Sequence, residues 1–438
     1  MLINVQHYIE KHNLLNHEKP IIVGLSGGAD SVALLYLLKR LNYDCIAVHC
    51  NFYLRGEESD RDEAFVIRLT NDWNIPLYKT TFDTVRVAFD RKISIEMAAR
   101  DLRYEWFEGI RKQEGAQAIC VAHHRDDNIE TLLINLIRGT GIRGLSGIRP
   151  KNGYLVRPLL DFSQQEILDY VEENKLPYVI DSTNLKPDFT RNKIRLEVLP
   201  LLETINPSIK ESIGQTITNL DATRIIYQDA IEKAKREVFN LDENSISIPG
   251  LTHSLSPETL LFEILREYGF NPDVIREIYQ ALNAQSGKEF YSLTHRLIKD
   301  RDILFLLPLQ VQSTDEYLLY ESSDYIDYPF KIDVCRKENH VYFEIKREAK
   351  VAYLDVDLLQ FPLKLRRWKN GDRFMPFGMN HFQKLSDFFN NNKFSKPQKE
   401  NVWLLTSGDD IVWVINYRID HRYRITERTK KVIILEVH

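Results

Sequence analysis

A short apolar run, Ile21-Ile22-Val23-Gly24-Leu25, passes through Ser26-Gly27-Gly28-Ala29-Asp30-Ser31 directly into a helical pattern from Val32 to Leu41. Few features constrain a fold more. A buried strand that turns within a few residues into a helix needs glycine where the backbone bends, and it leaves the helix N-terminus facing the turn. The two glycines let a phosphate approach the backbone, and the amides that follow point at it. The ordinary phosphate loop adds Gly-Lys-Ser/Thr, and no lysine is present here. Asp30 stands in its place. A carboxylate beside phosphates makes chemical sense when Mg²⁺ bridges them, and the bland alternative is a tight turn with a helix cap.

The pattern repeats downstream. Strand-like runs at Cys45–His49, Leu77–Phe82 and Ala118–Ala122 alternate with helical periods over Asp60–Trp73, Ile95–Lys112 and Asp126–Arg138. Alternation of this kind predicts an α/β fold, a parallel sheet with helices on both faces. Ligands of such sheets bind beyond the carboxyl ends of the strands. Ser26, His49 and His123 all fall there. After about Pro200 the pattern changes. Residues 209–283 are helical in period, and Phe290–Leu307 reads as a hairpin around Lys299-Asp300-Arg301-Asp302. The stretch from Gln310 to Glu348 is acidic and tyrosine-rich, with no clear period. Short strands and polar turns follow from Val351.

Charge and cysteine exclude some classes. With 438 residues, 43% of them hydrophobic, the chain can form two or three packed domains. The net charge of −5 argues against a general nucleic-acid binder, yet Leu363–Glu400 holds nine Lys and Arg against three acids. Such a patch can hold backbone phosphate. No run approaches the length of a membrane span, and residues 1–12 lack the pattern of a signal peptide. Cys45, Cys50, Cys120 and Cys335 are scattered, which fits a reducing cytoplasm rather than a disulfide framework. Gly139-Thr140-Gly141-Ile142-Arg143-Gly144 spells a dinucleotide fingerprint but follows a helix, so it is assigned to a loop. Cys120, His123 and His124 have no second ligand pair at zinc spacing.

A second polar segment runs from a strand end into a helix: His123-His124-Arg125-Asp126-Asp127-Asn128-Ile129-Glu130. Asp127 and Glu130 are helical neighbours. Carboxylates at a helix start can simply meet its dipole. They can also form a cation pocket for Mg²⁺ or a substrate ammonium.

Ser26–Ser31 resembles the signature of the PP-loop ATP pyrophosphatases, which cleave ATP between its α and β phosphates. With Ala98–Tyr104, the His123–Thr131 segment, Arg157-Pro158-Leu159-Leu160, Asp181–Asn184 and Arg191–Arg195, residues 20–200 look like the lysidine-synthase family. Arg367–Arg373 and Lys384–Phe389 resemble that family's terminal tRNA-binding domain. The chain departs from it in Asn128, where Gln is common, and in fewer cations around Lys384 and Lys399.

The resemblance implies a Rossmann-like PP-loop catalytic domain over 1–206 and a mainly helical tRNA-contacting domain over 207–310. A linker of unassigned structure follows over 311–350, then a small α+β tRNA-binding domain over 351–438. It implies ATP as substrate with Mg²⁺, L-lysine, and a tRNA(Ile) with a CAU anticodon. A homodimer is the expected assembly, although no residue pattern specifies it. ATP would be held by Ser26, Gly27, Gly28, Ala29, Asp30 and Ser31, with Asp30 on the metal. Lysine would be held by Asp127 and Glu130. Arg103, Arg195 and His123 would join Asp30 in catalysis, and Arg367, Lys369, Arg373 and Lys384 would contact tRNA. A tRNA thiolase and a small-molecule synthetase of the same superfamily are the alternatives. Thiolases of this class commonly use catalytic or cluster-binding cysteines, and a small-molecule synthetase does not need the basic patch.

Overall fold

The computed structural model describes residues 1–54, 56–180, 190–309, 316–338, 345–346 and 348–438. The chain divides into two compact units, Met1–Gln228 and Asp229–His438.

The first unit is built on the expected alternation. Its elements are α1 (Leu2–Lys11), β1 (Ile21–Gly24), α2 (Ala29–Arg40), β2 (Cys45–Asn51), α3 (Glu57–Asp72), β3 (Leu77–Thr81), α4 (Thr84–Arg91), α5 (Ile95–Gln113), β4 (Ala118–Cys120) and α6 (Arg125–Ile137). One helical turn, α7 (Ile142–Leu145), precedes β5 (Lys151–Asn152), β6 (Leu155–Val156) and α8 (Gln164–Glu173). The six strands are ordered β3-β2-β1-β4-β6-β5, all parallel except β5. The strand period of two sends Ile21 and Val23 to the face packed by α1, α2 and α8, and Ile22 to the face packed by α5. α2 is nearly apolar all round, and Leu34, Leu35, Leu37 and Leu38 are all buried. Each contributes roughly 1.5–3 kcal/mol through burial.

One feature follows the sequence reading and one departs from it. The dinucleotide-like glycines form a loop that runs into the single turn α7, because Gly139 takes φ +69° and ends the preceding helix. Beyond α9 (Thr190–Lys193), the chain makes one π-helical turn, Ile194–Val198, before α10 (Leu199–Ile205) and α11 (Ile209–Val238). Periodicity does not reveal an inserted residue of this kind, and such turns often mark functional sites. The expected segment Asp181–Asn184 lies outside the described residues.

In the second unit, helices at Ile248–His253, Pro257–Leu265 and Pro272–Gln280 accompany a five-stranded antiparallel sheet. Its centre is the hairpin His295–Asp300 with Ile303–Pro308. Some of its strands are only two or three residues long, too short to show a period in the sequence. The stretch 311–350 is more than a linker among its described residues. Tyr317–Leu319 pairs with Leu363–Leu365, and Ile332–Glu338 pairs with Lys431–Val437. Two sheets, of five and four strands, pack around Leu319, Leu354, Leu363, Trp413 and Ile433.

Candidate active site

The turn after β1 is held together by Ser31. Its Oγ accepts the N–H of Ser26 and of Gly27, each at 3.2 Å, and donates to the Gly28 carbonyl at 2.9 Å. Ser26 Oγ accepts the Gly28 N–H at 3.3 Å. Gly27 takes φ +97°, and a Cβ there would sit 2.9 Å from Val179 Cγ2. Gly28 begins α2 with no side-chain cap, so an open helix N-terminus faces the turn.

Against this turn lies a cavity of about 320 Å³ at the carboxyl ends of β1, β2 and β4. Ser26, Gly28, Asp30, Ser31, His49 and His123 line it. Arg103 reaches it from α5, its guanidinium 5.2 Å from the Phe52 ring centre. His49 Nδ1 donates to the Leu25 carbonyl at 2.8 Å, which leaves Nε2 as an acceptor. Burial holds the His49 imidazole below its usual pKa. Asp30 Oδ1 is buried and has no hydrogen-bond partner among the described residues. Burial raises the Asp30 carboxyl, against the pull of His124. An orphaned carboxylate oxygen beside an open helix N-terminus suits a divalent cation shared with phosphates.

The carboxylates of α6 form the other half of the site. Asp127 is part of a capping box: its Oδ2 accepts the His124 N–H at 3.1 Å, and its own N–H donates to His124 Nδ1 at 3.4 Å. Asp127 therefore caps the helix and also reaches outward, with Oδ1 3.7 Å from Arg195. Glu130 does no capping. It is fully buried, with Arg195 Nε donating to Oε1 at 2.6 Å and Arg191 Nε 3.5 Å from Oε2. Burial raises the Glu130 carboxyl, while these guanidiniums oppose the rise. Arg195 sits in the π-helical turn, and against its own burial the bond to Glu130 holds its proton more tightly. Asp126 belongs to the scaffold: it accepts the Gln164 N–H at 2.8 Å and pairs with Lys210 at 3.3 Å.

His123 follows β4 and lines the cavity with its Nδ1 buried and unpartnered among the described residues. Burial lowers its pKa to about 4, and the charges of Arg157, Arg191 and Arg100 push the same way against Asp127. It is a neutral imidazole at physiological pH.

Ser26, Gly28, Asp30, Ser31, His123 and Arg103 thus share one cavity lining. Asp127 and Glu130 form a separate group with Arg195, joined to Asp30 through His124. The sequence reading quoted His124 and Arg191 within its segments but gave neither a role, and it did not single out Phe52. The doublet His123-His124 at a strand end was a signal for the first, but nothing in the spacing shows which ring turns inward.

Of the basic residues in the second unit, Arg373 and Lys384 are exposed and face each other on a two-stranded ribbon. Lys369 pairs with Glu316 at 3.3 Å. Arg367 is half-buried, 4.2 Å from the Trp403 ring centre, with Nη1 buried and unpartnered among the described residues.

A parallel sheet with a glycine turn that carries aspartate where lysine is usual defines the PP-loop class of ATP-using enzymes, and a PP-loop domain model matches residues 2–202. Models described as a TilS substrate binding domain and a TilS substrate C-terminal domain match 240–309 and 363–435. A tRNA(Ile)-lysidine synthase of Parabacteroides distasonis is 51% identical over 99% of both chains. That of Bacteroides thetaiotaomicron is 46% identical over 99% of both, and one from Porphyromonas gingivalis is 40% identical over 94% of this chain and 92% of its own. The chain belongs to the tRNA(Ile)-lysidine synthase family. Membership at this identity sets aside the thiolase and small-molecule synthetase alternatives.

Proposed function

We propose that the chain joins the ε-amine of L-lysine to C2 of the anticodon wobble cytidine of a tRNA(Ile) with a CAU anticodon, converting ATP to AMP and pyrophosphate. The observation that carries this reading is the two-part site. A phosphate turn with an orphaned Asp30 oxygen lies on one side, and the carboxylate pair of half-buried Asp127 and fully buried Glu130 lies on the other.

The open N-terminus of α2 and the turn at Ser26–Ser31 hold the ATP phosphates. Asp30 would hold Mg²⁺, which when bound would supply positive charge to the leaving pyrophosphate. The cytidine C2 oxygen attacks the α-phosphate and expels pyrophosphate; the lysine ε-ammonium then gives up a proton to solvent, and the neutral amine displaces AMP from the adenylated base. Asp127 and Glu130 receive the lysine ammonium. Arg195, already beside them, and Arg103, in the cavity, stabilise the adenylated base or its phosphate. Neutral His123 orients a reactant without adding charge. Positioning is the main contribution of these groups. In the second unit Arg373 and Lys384 bind tRNA phosphate, with Lys369 and Arg367 beside them. The reading includes a cytoplasmic setting and a homodimer, the latter checked by sedimentation.

The test is pyrophosphate release from ATP with tRNA(Ile) and each amino acid in turn, with the tRNA product analysed by mass. Only lysine should yield a covalently modified tRNA. Transfer of another amine, or release independent of tRNA, overturns the proposal.

A further inference from the structure

One imidazole stands between the two halves of this site. His124 is 2% exposed. Its Nδ1 accepts the Asp127 N–H at 3.4 Å, so in the neutral ring the proton sits on Nε2. Nε2 lies 3.7 Å from Asp30 Oδ2 and 3.6 Å from Asp127 Oδ2. The third carboxylate nearby, Asp126, faces Nδ1 at 3.8 Å but is taken up by the Gln164 N–H and Lys210. A single N–H on a buried ring therefore faces two acceptors, one on the phosphate turn and one on α6.

We infer that His124 is a positioning residue that couples occupation of the ATP side of the site to binding of the amine. The inference rests on the reading above that Asp30 serves the ATP phosphates and Asp127 the lysine ammonium.

The physical reason is that one donor cannot serve both carboxylates fully. A cation at Asp30 repels the Nε2 proton and satisfies that carboxylate. The donor then turns to Asp127 Oδ2, which already holds the His124 backbone N–H at 3.1 Å. With Oδ2 held twice, the carboxyl plane is fixed and Oδ1 is presented on the side where Arg195 lies at 3.7 Å. An arriving ammonium meets an oriented acceptor and loses less freedom in binding. The amine should therefore bind better after ATP than before it. By reciprocity, the amine should tighten ATP by the same factor.

The experiment is calorimetric titration of L-lysine into the full chain, alone and with Mg²⁺ and α,β-methylene ATP, without tRNA. Lysine should bind roughly fivefold or more tightly in the presence of the analogue, the lower range of ordinary coupling. His124→Phe keeps the ring volume without a donor, and His124→Asn has a donor too short to reach both carboxylates. Each should reduce the factor to less than about twofold. His124→Gln, which keeps a long N–H donor, should recover part of it. Melting curves identify any variant that fails to fold, and the remaining variants then carry the comparison. A purely structural role for His124 would lower stability without touching the factor. Lysine that binds the native chain equally well with and without the analogue overturns the inference, as does coupling that survives in the folded Phe or Asn variant. Lysine that does not bind the native chain at all, with or without the analogue, instead defeats the assignment of Asp127 and Glu130.

Discussion

Glu130 is fully buried, and it is tolerable there because two guanidiniums meet its two oxygens. Glu130→Gln removes the charge that faces both arginines and leaves Arg195 with Asp127 alone, so it should destabilise by less than the about 3–5 kcal/mol typical when a fully buried pair loses one partner. It should also abolish lysine transfer or raise the lysine KM. Asp127→Asn keeps an oxygen for the cap, so it should affect the lysine KM more than stability. Denaturant titration and transfer kinetics of both variants separate these effects. Unchanged lysine kinetics in both would return the pair to packing and capping. In the proposed function Asp30 holds the metal on the ATP side of the site. Asp30→Ala removes a charge from the cavity lining and no core contact, so pyrophosphate release should vanish while the melting curve hardly moves. Near-normal turnover with Mg²⁺ would refute its role. His123 makes a pH prediction. Its pKa falls from 6.5 to about 4 on folding, so between those values the unfolded chain holds a proton that the folded chain has released. Stability is therefore full above about pH 6.5 and declines as pH drops towards 4, by at most on the order of 3 kcal/mol. His123→Gln should flatten that decline in denaturation measured from pH 7 to 4.5, and an unchanged slope counts against a buried neutral ring.

At the scale of elements, the phosphate turn is legible because its constraints are local. A strand, two glycines and a helix start follow one another, and backbone geometry leaves little choice. Gly27→Ala tests this directly. The residue would have to hold φ +97° with its Cβ 2.9 Å from Val179. A destabilisation of about 1–3 kcal/mol is expected, together with weaker ATP binding, both read from thermal shift with and without nucleotide. A full-strength ATP shift in the variant would show that the turn does not cradle phosphate. α6 was half legible. The spacing of Asp127 and Glu130 puts them on neighbouring positions of one helix, but it does not show that one caps and the other is buried. The π-helical turn was not legible at all. It places Arg195 against Glu130 from 65 residues away, and its extra residue per turn leaves no trace in a hydrophobic pattern.

At the scale of the molecule, the basic residues of the second unit are unequal. Arg373 and Lys384 are exposed on their ribbon, whereas Lys369 is paired with Glu316 and Arg367 is packed over Trp403. Arg373→Glu with Lys384→Glu should weaken tRNA binding at all sequences and lower its salt slope by about two, about one per lost phosphate contact. Lys369→Ala should do less. Equal slopes for the double variant and the native chain would show that this ribbon does not hold phosphate. Point variants in the full chain are preferable to truncation at residue 350, which would strip Tyr317–Leu319 and Ile332–Glu338 of their strand partners.

The amino-acid order alone determined the parallel α/β layer and the phosphate turn, because periodicity and glycine act within a few residues. It also determined which carboxylates were candidates. Tertiary structure decided what each candidate touches. Asp126 was turned into the scaffold, Glu130 was sealed between two arginines, and the His124 ring was set between Asp30 and Asp127. Those outcomes depend on where α6, α8, α11 and the π-helical turn meet in space. Such meetings are set by packing between residues tens of positions apart, and a pattern read along the chain carries no record of them.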